Sequence, residues 1–579
     1  MRQPGQEAVK TSPSKLSLEV VEIEWPPLEA FRSYRLAAQL AAAEEAAPAA
    51  ERPEPLHTIK ASASPLLDRA AVAQLLAQQN PASPAPPAEA SYVIAGQQAG
   101  LLTGPLYTIL KAVSAIALAR RLSAERTEPV LPLFWIAAED HDILEVNRVT
   151  VNGRQFVQAY TGEMARGRRP QVADIALEDA RDPLLDFLRA ALPPTEFTPW
   201  VIDTVAGLDF HNYLTAFRGM MERLFCDWDL RLIDPIALRP LTAPVLAALV
   251  ERWGDCKRAF ERGTERLRQR GCEPPLERIG FYEIHEGRRA QVEIDAAGFH
   301  LSDGVCDART AAGRIRRDPA CFSPSAALRP ICQDAALPVL ATLGGPSEMV
   351  YLRQIEPLYA VVQARPSRRW PRISATFVEP SVARAAAHAG LAGERLFDAP
   401  PLLAGASGGA AEGAAAATAG ATPGAASAPA ASAPAPSPPA AAATADEPTS
   451  PRIARIDERT RALLEEIDRL HPDAPPRWLR QSREGIAASA ARLIERLREE
   501  ELAAAGLTRQ RLEKIAKAVL PDDEPQERVT NVTQFLNLHG PEFIARAIDT
   551  LDPTSARHQL VFIGTHAGGD LADDEGDRT

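Results

Sequence analysis

The sequence predicts an α/β protein built on a parallel β-sheet and extended by a long helical hairpin. Three observations carry this. Two short apolar runs, "YVIA" (92–95) and "LFWIA" (133–137), are separated by a Gly-containing loop and a stretch of helical spacing. Similar apolar runs recur in "RLIDP" (231–235) and "LPVLATLGGP" (337–346). Near the C-terminus, "RIARIDERTRALLEEIDRL" and residues 477–518 place apolar residues at helical spacing among abundant Glu and Arg.

Taken in order, residues 79–90 form a Pro/Ala-rich linker before the first run. The runs are continuously apolar, as expected of strands in a sheet covered on both faces. From Leu106 the apolar residues Ile109, Val113, Ile116 and Leu118 follow a helical period. Strand, loop, helix and strand make a βαβ unit, whose strands are parallel. In "VNRVTVNGRQFVQAY", Asn152-Gly153 between alternating segments signals a hairpin, and "GFYEIHEGRRAQVEI" (280–294) reads as another. Residues 170–225 read as mainly helical. Residues 402–449 are almost wholly Ala, Gly, Ser, Pro and Thr; they bury too little to offset the entropy of ordering and read as a disordered insert. Ile453, Ile456, Leu463, Leu464, Ile467 and Leu470 then mark the apolar face of a helix that "PDAPP" breaks before a second, longer one. Two such helices make an αα-hairpin of coiled-coil type. "DDEGDRT" ends the chain as an acidic tail.

The chain has 579 residues, 46% hydrophobic and 24% charged, with a formal net charge of -12. That balance argues against general nucleic-acid binding, which relies on Lys and Arg against phosphate. No apolar run reaches the ~18 residues of a membrane span, and the first 25 residues lack the apolar core of a secretory signal. A cytoplasmic location is expected. The cysteines, 226, 256, 272, 306, 321 and 332, form no CxxC pair and no zinc spacing, so they read as reduced thiols with no metal site.

Three segments can carry chemistry. The loop "GQQAGLLTGP" (96–105) follows a parallel strand, where open α/β sheets bind ligands. It can present backbone N–H groups and a helix N-terminus to an anion or polar ligand. It is neither GxGxxG nor GxxxxGK[ST]. Gln97 and Gln98 add amides; the competing reading is a plain turn shaped by Gly96, Gly100 and Gly104. The second segment brings Glu139, Asp140, His141 and Asp142 to a strand end. Carboxylates beside a histidine hold its tautomer and raise its pKa, which suits proton transfer; the competing reading is a helix N-terminus capped by Asp140 or Asp142, with Glu145 on the dipole. In the third, Arg329 can pair a substrate carboxylate or a structural partner such as Asp334. "GGPSE" there repeats the strand–loop–helix logic, with Ser347 or Glu348 near the helix start. Cys332 reads as a core thiol, with a nucleophile as the alternative. His211, His285 and His300 read as ordinary polar residues.

These segments, "GQQAGLLTGPLYTILKA", "FWIAAEDHDILEVN" and "SPSAALRPICQDAALPVLATLGGPSEMVYLRQ", together with "QERVTNVTQFLNLHGPEFI" (526–544), resemble in order the bacillithiol biosynthesis cysteine-adding enzymes, BshC. The resemblance implies a Rossmann-type core with inserted connecting segments and a coiled-coil arm that mediates dimerisation. On this basis residues 1–90 are an N-terminal segment and linker, 91–165 and 321–401 the two halves of the core, and 166–320 the inserted α/β segments. Residues 402–449 are a disordered insert foreign to the family, 450–520 the helical hairpin, 521–565 a C-terminal segment packing on the core, and 566–579 the tail. The implied reaction joins the carboxyl of cysteine to the amine of glucosaminyl-malate. His141 would accept the amine's proton, flanked by Glu139, Asp140 and Asp142. Gln97, Gln98, Thr103, Asn147, Arg329, Gln333, Asp334, Glu348, Tyr351 and Gln354 would bind substrate, with Gly96, Gly100, Gly104, Gly344, Gly345 and Ser347 shaping the loops to hold anionic groups. The means of activating the carboxyl stays open, with ATP and magnesium as one route. The partners implied are small molecules and a second copy of the chain, with no nucleic acid or membrane. Two positions depart from the family pattern: Ser347 stands where it has glycine and Ser325 where it has asparagine. If that glycine serves a positive φ, Ser347 disturbs its loop. The rival readings are a nucleotide-dependent transferase of an unrelated substrate and a non-catalytic coiled-coil scaffold with a relic core.

Overall fold

The computed structural model describes residues 16–46, 54–55, 58–160, 168–285, 288–407, 451–470, 477–504 and 507–565. The acidic tail, "PDAPP" and residues 408–449 of the predicted insert lie outside them. Residues 402–407 differ from the expectation: they finish a helix, Ala399–Ser407, because Leu402 and Leu403 are half-buried and give it something to cover. The chain forms two units, one reaching to Thr376 and resuming at Pro525, the other spanning Phe377–Glu524.

The first unit is organised by a sheet of β1 (Ser91–Gln97), β2 (Val130–Ile136), β3 (Arg231–Ile233), β4 (Val339–Gly344) and β5 (Arg368–Pro371). Its spatial order is β5-β4-β1-β2-β3 and every neighbouring pair is parallel. The apolar runs become central strands because both faces are covered: Val93, Ile94, Leu133 and Phe134 are at most 1% exposed. Each such side chain contributes about 1.5–3 kcal/mol by leaving water. Helix α1 (Tyr107–Glu125) crosses from β1 to β2 and buries the predicted Ile109, Val113, Ile116 and Leu118. The strand order reverses between β1 and β4, so the ends of these two strands, and the β2 end beside them, are where this topology opens a ligand crevice. Strand β3 lies within the stretch 166–320, so part of the expected insertion belongs to the core sheet; its register with β2 (Trp135 opposite Ile233) leaves no doubt of the pairing.

Both predicted hairpins form. Arg148–Val151 pairs with Arg154–Val157 through Asn152 and Gly153 at φ 49° and 71°, the left-handed pair that a tight turn requires. Phe281–His285 pairs with Arg288–Gln291 inside an antiparallel sheet completed by Phe322–Pro324 and Arg168–Pro170. Strand Leu16–Ile23 pairs antiparallel with His558–Thr565 along its whole length.

A buried ion pair ties the C-terminal segment to the strand-end region. Arg372 Nη2 lies 2.6 Å from Glu527 Oε1, and Glu527 is fully buried. Its carboxylate also accepts from Tyr34 Oη (2.6 Å), Ser374 Oγ (3.0 Å) and the Ala375 amide (3.0 Å). His558 closes the knot, its Nδ1 3.0 Å from Ser374 Oγ and its Nε2 2.9 Å from Thr376 Oγ1.

In the second unit, α4 (Pro451–Leu470) and α5 (Arg477–Ala504) form the expected hairpin. Ile453 packs with Ile494 and Leu497, while Asp468 pairs with Arg483, which makes the helices antiparallel. Leu463, predicted on the apolar face, is 48% exposed, as are Leu493 and Trp478 at 49% and 63%. Among the described residues, no helix is long and apolar enough to cross a membrane.

Candidate active site

The end of β1 is held by a residue outside the predicted set. Lys111 of α1 turns back to donate to Gly96 O (2.9 Å) and Gln97 Oε1 (3.0 Å), and lies 2.7 Å from Glu348 Oε2. Glu348 sits in the first turn of α3 (Pro346–Ile355), after β4, so the pair bridges the point where the strand order reverses. Burial pulls the Lys111 ammonium below its ordinary value, against the opposing charge of Glu348. Desolvation alone would raise the Glu348 carboxyl, but Lys111 and the Gly345 amide hold it below its usual range. Gln97 donates onward to Tyr107 Oη at 3.2 Å.

Three amides of the Gly loop are spent within the protein. The amides of Gly100, Thr103 and Gly104 donate to Gln98 O, Gly100 O and Leu101 O, and the Gly345 amide to Glu348. These donors are spent within the protein, and a carboxylate already lies at the second loop. A triphosphate therefore finds no free nest of these amides there. The glycines serve close packing instead: a Cβ at Gly96 would lie 3.0 Å from Trp135, at Gly100 3.1 Å from Gly104 Cα, and at Gly344 2.7 Å from Met349 Cε. Ser347 occupies ordinary helical backbone on the exposed first turn of α3, so the departure from glycine strains nothing.

Between these glycines, Leu102 and Thr103 adopt φ of 48° and 72°, a conformation that costs on the order of 1–3 kcal/mol each for such residues. Asn531 holds them there: its Nδ2 donates to Leu102 O (2.8 Å) and Gly104 O (2.6 Å), and its Oδ1 accepts from Thr533. Asn531 is fully buried, so Asn531→Ala strands two carbonyls. The expected loss is about 2–4 kcal/mol of stability, read as a lower urea midpoint. Thr103 itself is buried with an unpartnered hydroxyl.

At the β2 end the four predicted ionisable groups part company. Glu139 turns inward to Arg239 (3.2 Å), which also donates to Gln171, so it is a structural acid rather than a companion of His141. Asp142 caps the short helix Ile143–Val146 through Leu144 N, the competing reading. Asp140 joins the first two segments: its Oδ2 accepts from Gln98 at 2.6 Å, and its Oδ1 lies 3.4 Å from His141 Nδ1. The expected rise in the His141 pKa is reversed. Burial lowers it, Arg289 and Arg169 add to that, and Asp140 and Asp142 only partly oppose. Arg289 reaches in from the hairpin Phe281–Gln291, its Nη1 3.5 Å from His141 Nδ1. Asn147 donates to Gln158 O and faces the adjoining hairpin.

From α2 (Arg329–Ala336), Arg329 donates to Gln333 (3.0 Å) and to Tyr351 Oη (3.3 Å), and its guanidinium lies 5.7 Å from the Trp135 ring. Trp135 belongs to β2, so Arg329 leans toward the same strand ends. It does not pair with Asp334, whose carboxylate is enclosed by Ser367, Tyr359 and Gln333. Gln354 is likewise consumed, bonded to Thr264 and to both backbone groups of Leu276. Asp334 and Gln354 are thus framework residues. Cys332 is 1% exposed and burial raises its pKa, the opposite of a poised nucleophile. His211 and His300 pair with Glu178 and Asp295. All six cysteines are free thiols, and among the described residues no group of three His, Cys, Asp or Glu side chains is arranged to hold a metal.

The strand ends therefore gather Gln97, Gln98, Asp140, His141, Arg329, Glu348 and Tyr351, with Lys111 and Arg289 added. Lys111 carried a readable signal, a lone lysine inside the apolar helix "YTILKAVSAIALA"; Arg289 carried none.

Comparison with known proteins follows the same division. A family model described as "Bacillithiol biosynthesis BshC, N-terminal Rossmann-like domain" matches residues 86–373, and one described as "Bacillithiol biosynthesis BshC, C-terminal coiled-coil domain" matches residues 450–563. Similar proteins named "Putative cysteine ligase BshC" include one from Geobacillus thermodenitrificans, 28% identical over 492 residues, which cover 81% of this chain and 84% of the relative. Another from Bacillus licheniformis is 26% identical over 497 residues, 81% of this chain and 84% of the relative. One from Koribacter versatilis is 31% identical over 320 residues, 50% of this chain and 55% of the relative. The parallel core falls under the first model and the helical hairpin under the second, so the chain belongs to the bacillithiol biosynthesis BshC family.

Proposed function

We propose that the protein is a ligase that joins the carboxyl of L-cysteine to the amine of glucosaminyl-malate, the last step of bacillithiol synthesis. The observation that carries this reading is His141, a half-buried imidazole at the β2 end whose pKa is lowered and whose Nδ1 lies 3.4 Å from Asp140. Forming the C–N bond uses the amine's lone pair and breaks a C–O bond of the activated cysteine carboxyl, whose activating group departs with that oxygen, and the ammonium proton must leave as well. An imidazole that is uncharged at neutral pH can take it, and Asp140, 3.4 Å from Nδ1, steadies the imidazolium that forms. Arg329, backed by Tyr351, supplies a cation for a substrate carboxylate. The names of the relatives support the cysteine ligase reading. A cytoplasmic location suits an enzyme that uses free cysteine and carries free thiols.

The test is to incubate the purified chain with cysteine and glucosaminyl-malate, with and without ATP and magnesium, and to follow product by mass. Product is expected, and the arm in which it appears identifies the activator. His141→Asn should reduce its rate at least about 100-fold with unchanged unfolding; near-normal turnover sinks the assignment. The proposed homodimer would use the α4–α5 arm, where Leu463, Leu493 and Trp478 stay exposed. Light scattering should then show a dimer that Leu463→Glu with Trp478→Glu returns to monomer.

A further inference from the structure

Arg289 is a buried cation that reaches the β2 end from outside the parallel sheet. It stands on the strand Arg288–Gln291 and is 7% exposed. Three contacts fix its guanidinium: Nε donates to Ser323 Oγ (2.9 Å), Nη2 donates to Pro324 O (2.8 Å), and the plane lies 3.8 Å from the Tyr282 ring centre. What remains is Nη1, and it points at the site, 3.5 Å from His141 Nδ1 and 3.8 Å from Asp140 Oδ1. The Tyr282 ring also lies 5.7 Å from the imidazole ring. One hairpin thus supplies both the wall of the imidazole and a charge that cannot swing away.

We propose that Arg289 is a positioning residue that keeps the His141 imidazole uncharged beside Asp140. This rests on the reading of His141 as the base. A carboxylate against a histidine tends to make it a permanent imidazolium, which could accept no proton. The charged groups facing the ring are Asp140 and Asp142 from its own segment, Arg289 from the hairpin, and Arg169 from the strand Arg168–Pro170, with Tyr282 as the titratable phenol alongside. The two arginines balance the two carboxylates, and Arg289 is the one in contact. When the imidazole gains a proton, Asp140 stabilises it and Arg289 opposes it. The proton is therefore held loosely enough to be released again. The hairpin's cation thus adds to burial in setting the base strength of the site.

The experiment is an NMR titration of the full chain carrying ¹⁵N-imidazole histidine, with the His141 signal assigned by its loss in His141→Gln. No substrate is present, so the result is independent of the ligation assay. In Arg289→Gln the His141 midpoint should move up by about one pH unit or more. Arg289→Lys should keep it near the wild-type value, and Ser323→Ala, which frees the guanidinium, should raise it by a smaller amount. The signals of His211 and His300, paired elsewhere with Glu178 and Asp295, report that the fold is intact. If Arg289→Gln fails to fold, the other two variants decide. An unmoved midpoint in Arg289→Gln, or in Ser323→Ala where only that variant can be read, overturns the proposal. So does a midpoint in Arg289→Lys as high as in the glutamine variant. If the midpoints move as stated while His141→Asn still ligates, the base assignment falls and the role of Arg289 in setting the imidazole's charge stands.

Discussion

Replacing Glu527 with alanine is expected to lower stability by about 3–5 kcal/mol, the usual cost of removing one partner of a buried ion pair. Glu527 is fully buried and accepts from Arg372, Tyr34, Ser374 and the Ala375 amide. Its loss leaves the Arg372 guanidinium, itself 7% exposed, with only Tyr34 Oη and the Ile373 carbonyl. The desolvation cost of that cation then stands uncompensated, and the Tyr34 hydroxyl and the Ala375 amide lose their acceptor as well. Glu527→Leu combined with Arg372→Met should be much milder than either change alone, because a well-packed apolar pair replaces charges that gain little net energy from each other. Urea unfolding of the two single variants and the double variant gives the cycle. A single variant within about 1 kcal/mol of wild type would show that the pair contributes little.

The same knot makes the protein acid-sensitive. His558 is buried and uncharged, its pKa pulled down to about 4 by burial, with Arg372 adding and Glu527 opposing. In the unfolded chain it titrates near 6.5. As pH falls through the window between these values, the unfolded state takes up the proton first, so stability falls with pH. The full loss, on the order of 3 kcal/mol, is reached as pH passes below the folded value. Burial alone would raise the Glu527 carboxyl, but Arg372 holds it below its usual range. It therefore adds stability that is lost at still lower pH, as it too protonates. Urea midpoints at pH 7, 5.5 and 4.5 should decline steadily, and His558→Gln should flatten the decline. A wild-type midpoint that does not change between pH 7 and 5 would exclude this origin.

The strands and helices were legible because each writes its environment into consecutive residues. Val93, Ile94, Leu133 and Phe134 are apolar without alternation since both faces of the sheet are covered. Asn152-Gly153 announces its turn because few residues tolerate two positive φ values. The site was legible only in part, because its decisive partners lie far along the chain. Nothing near Glu139 reveals that Arg239 claims it, and nothing near His141 reveals Arg289, 148 residues on. The expected direction of the His141 pKa followed its visible neighbours, Asp140 and Asp142, and was overturned by burial and by cations the local pattern does not contain. The partners of the Gly100, Thr103 and Gly104 amides were hidden for a related reason. Whether a glycine-rich turn offers its N–H groups depends on carbonyls that the sequence does not locate, here those of Gln98, Gly100 and Leu101.

The ion pair between Arg372 and Glu527 also has a meaning in time. The two residues flank the excursion Phe377–Glu524, and the Ala375 amide touches the Glu527 carboxylate, so the chain leaves the first unit and returns to it at neighbouring points. During synthesis Arg372 leaves the ribosome well before its counter-charge exists. At 5–20 residues per second the wait is roughly 10–30 s. Until then the guanidinium has no carboxylate, the Leu102–Thr103 turn lacks its Asn531 clasp, and strand Leu16–Ile23 has no His558–Thr565 to pair with. The groups that complete these three contacts, Glu527, Asn531 and the strand His558–Thr565, thus come after the excursion and are made later than everything they close on.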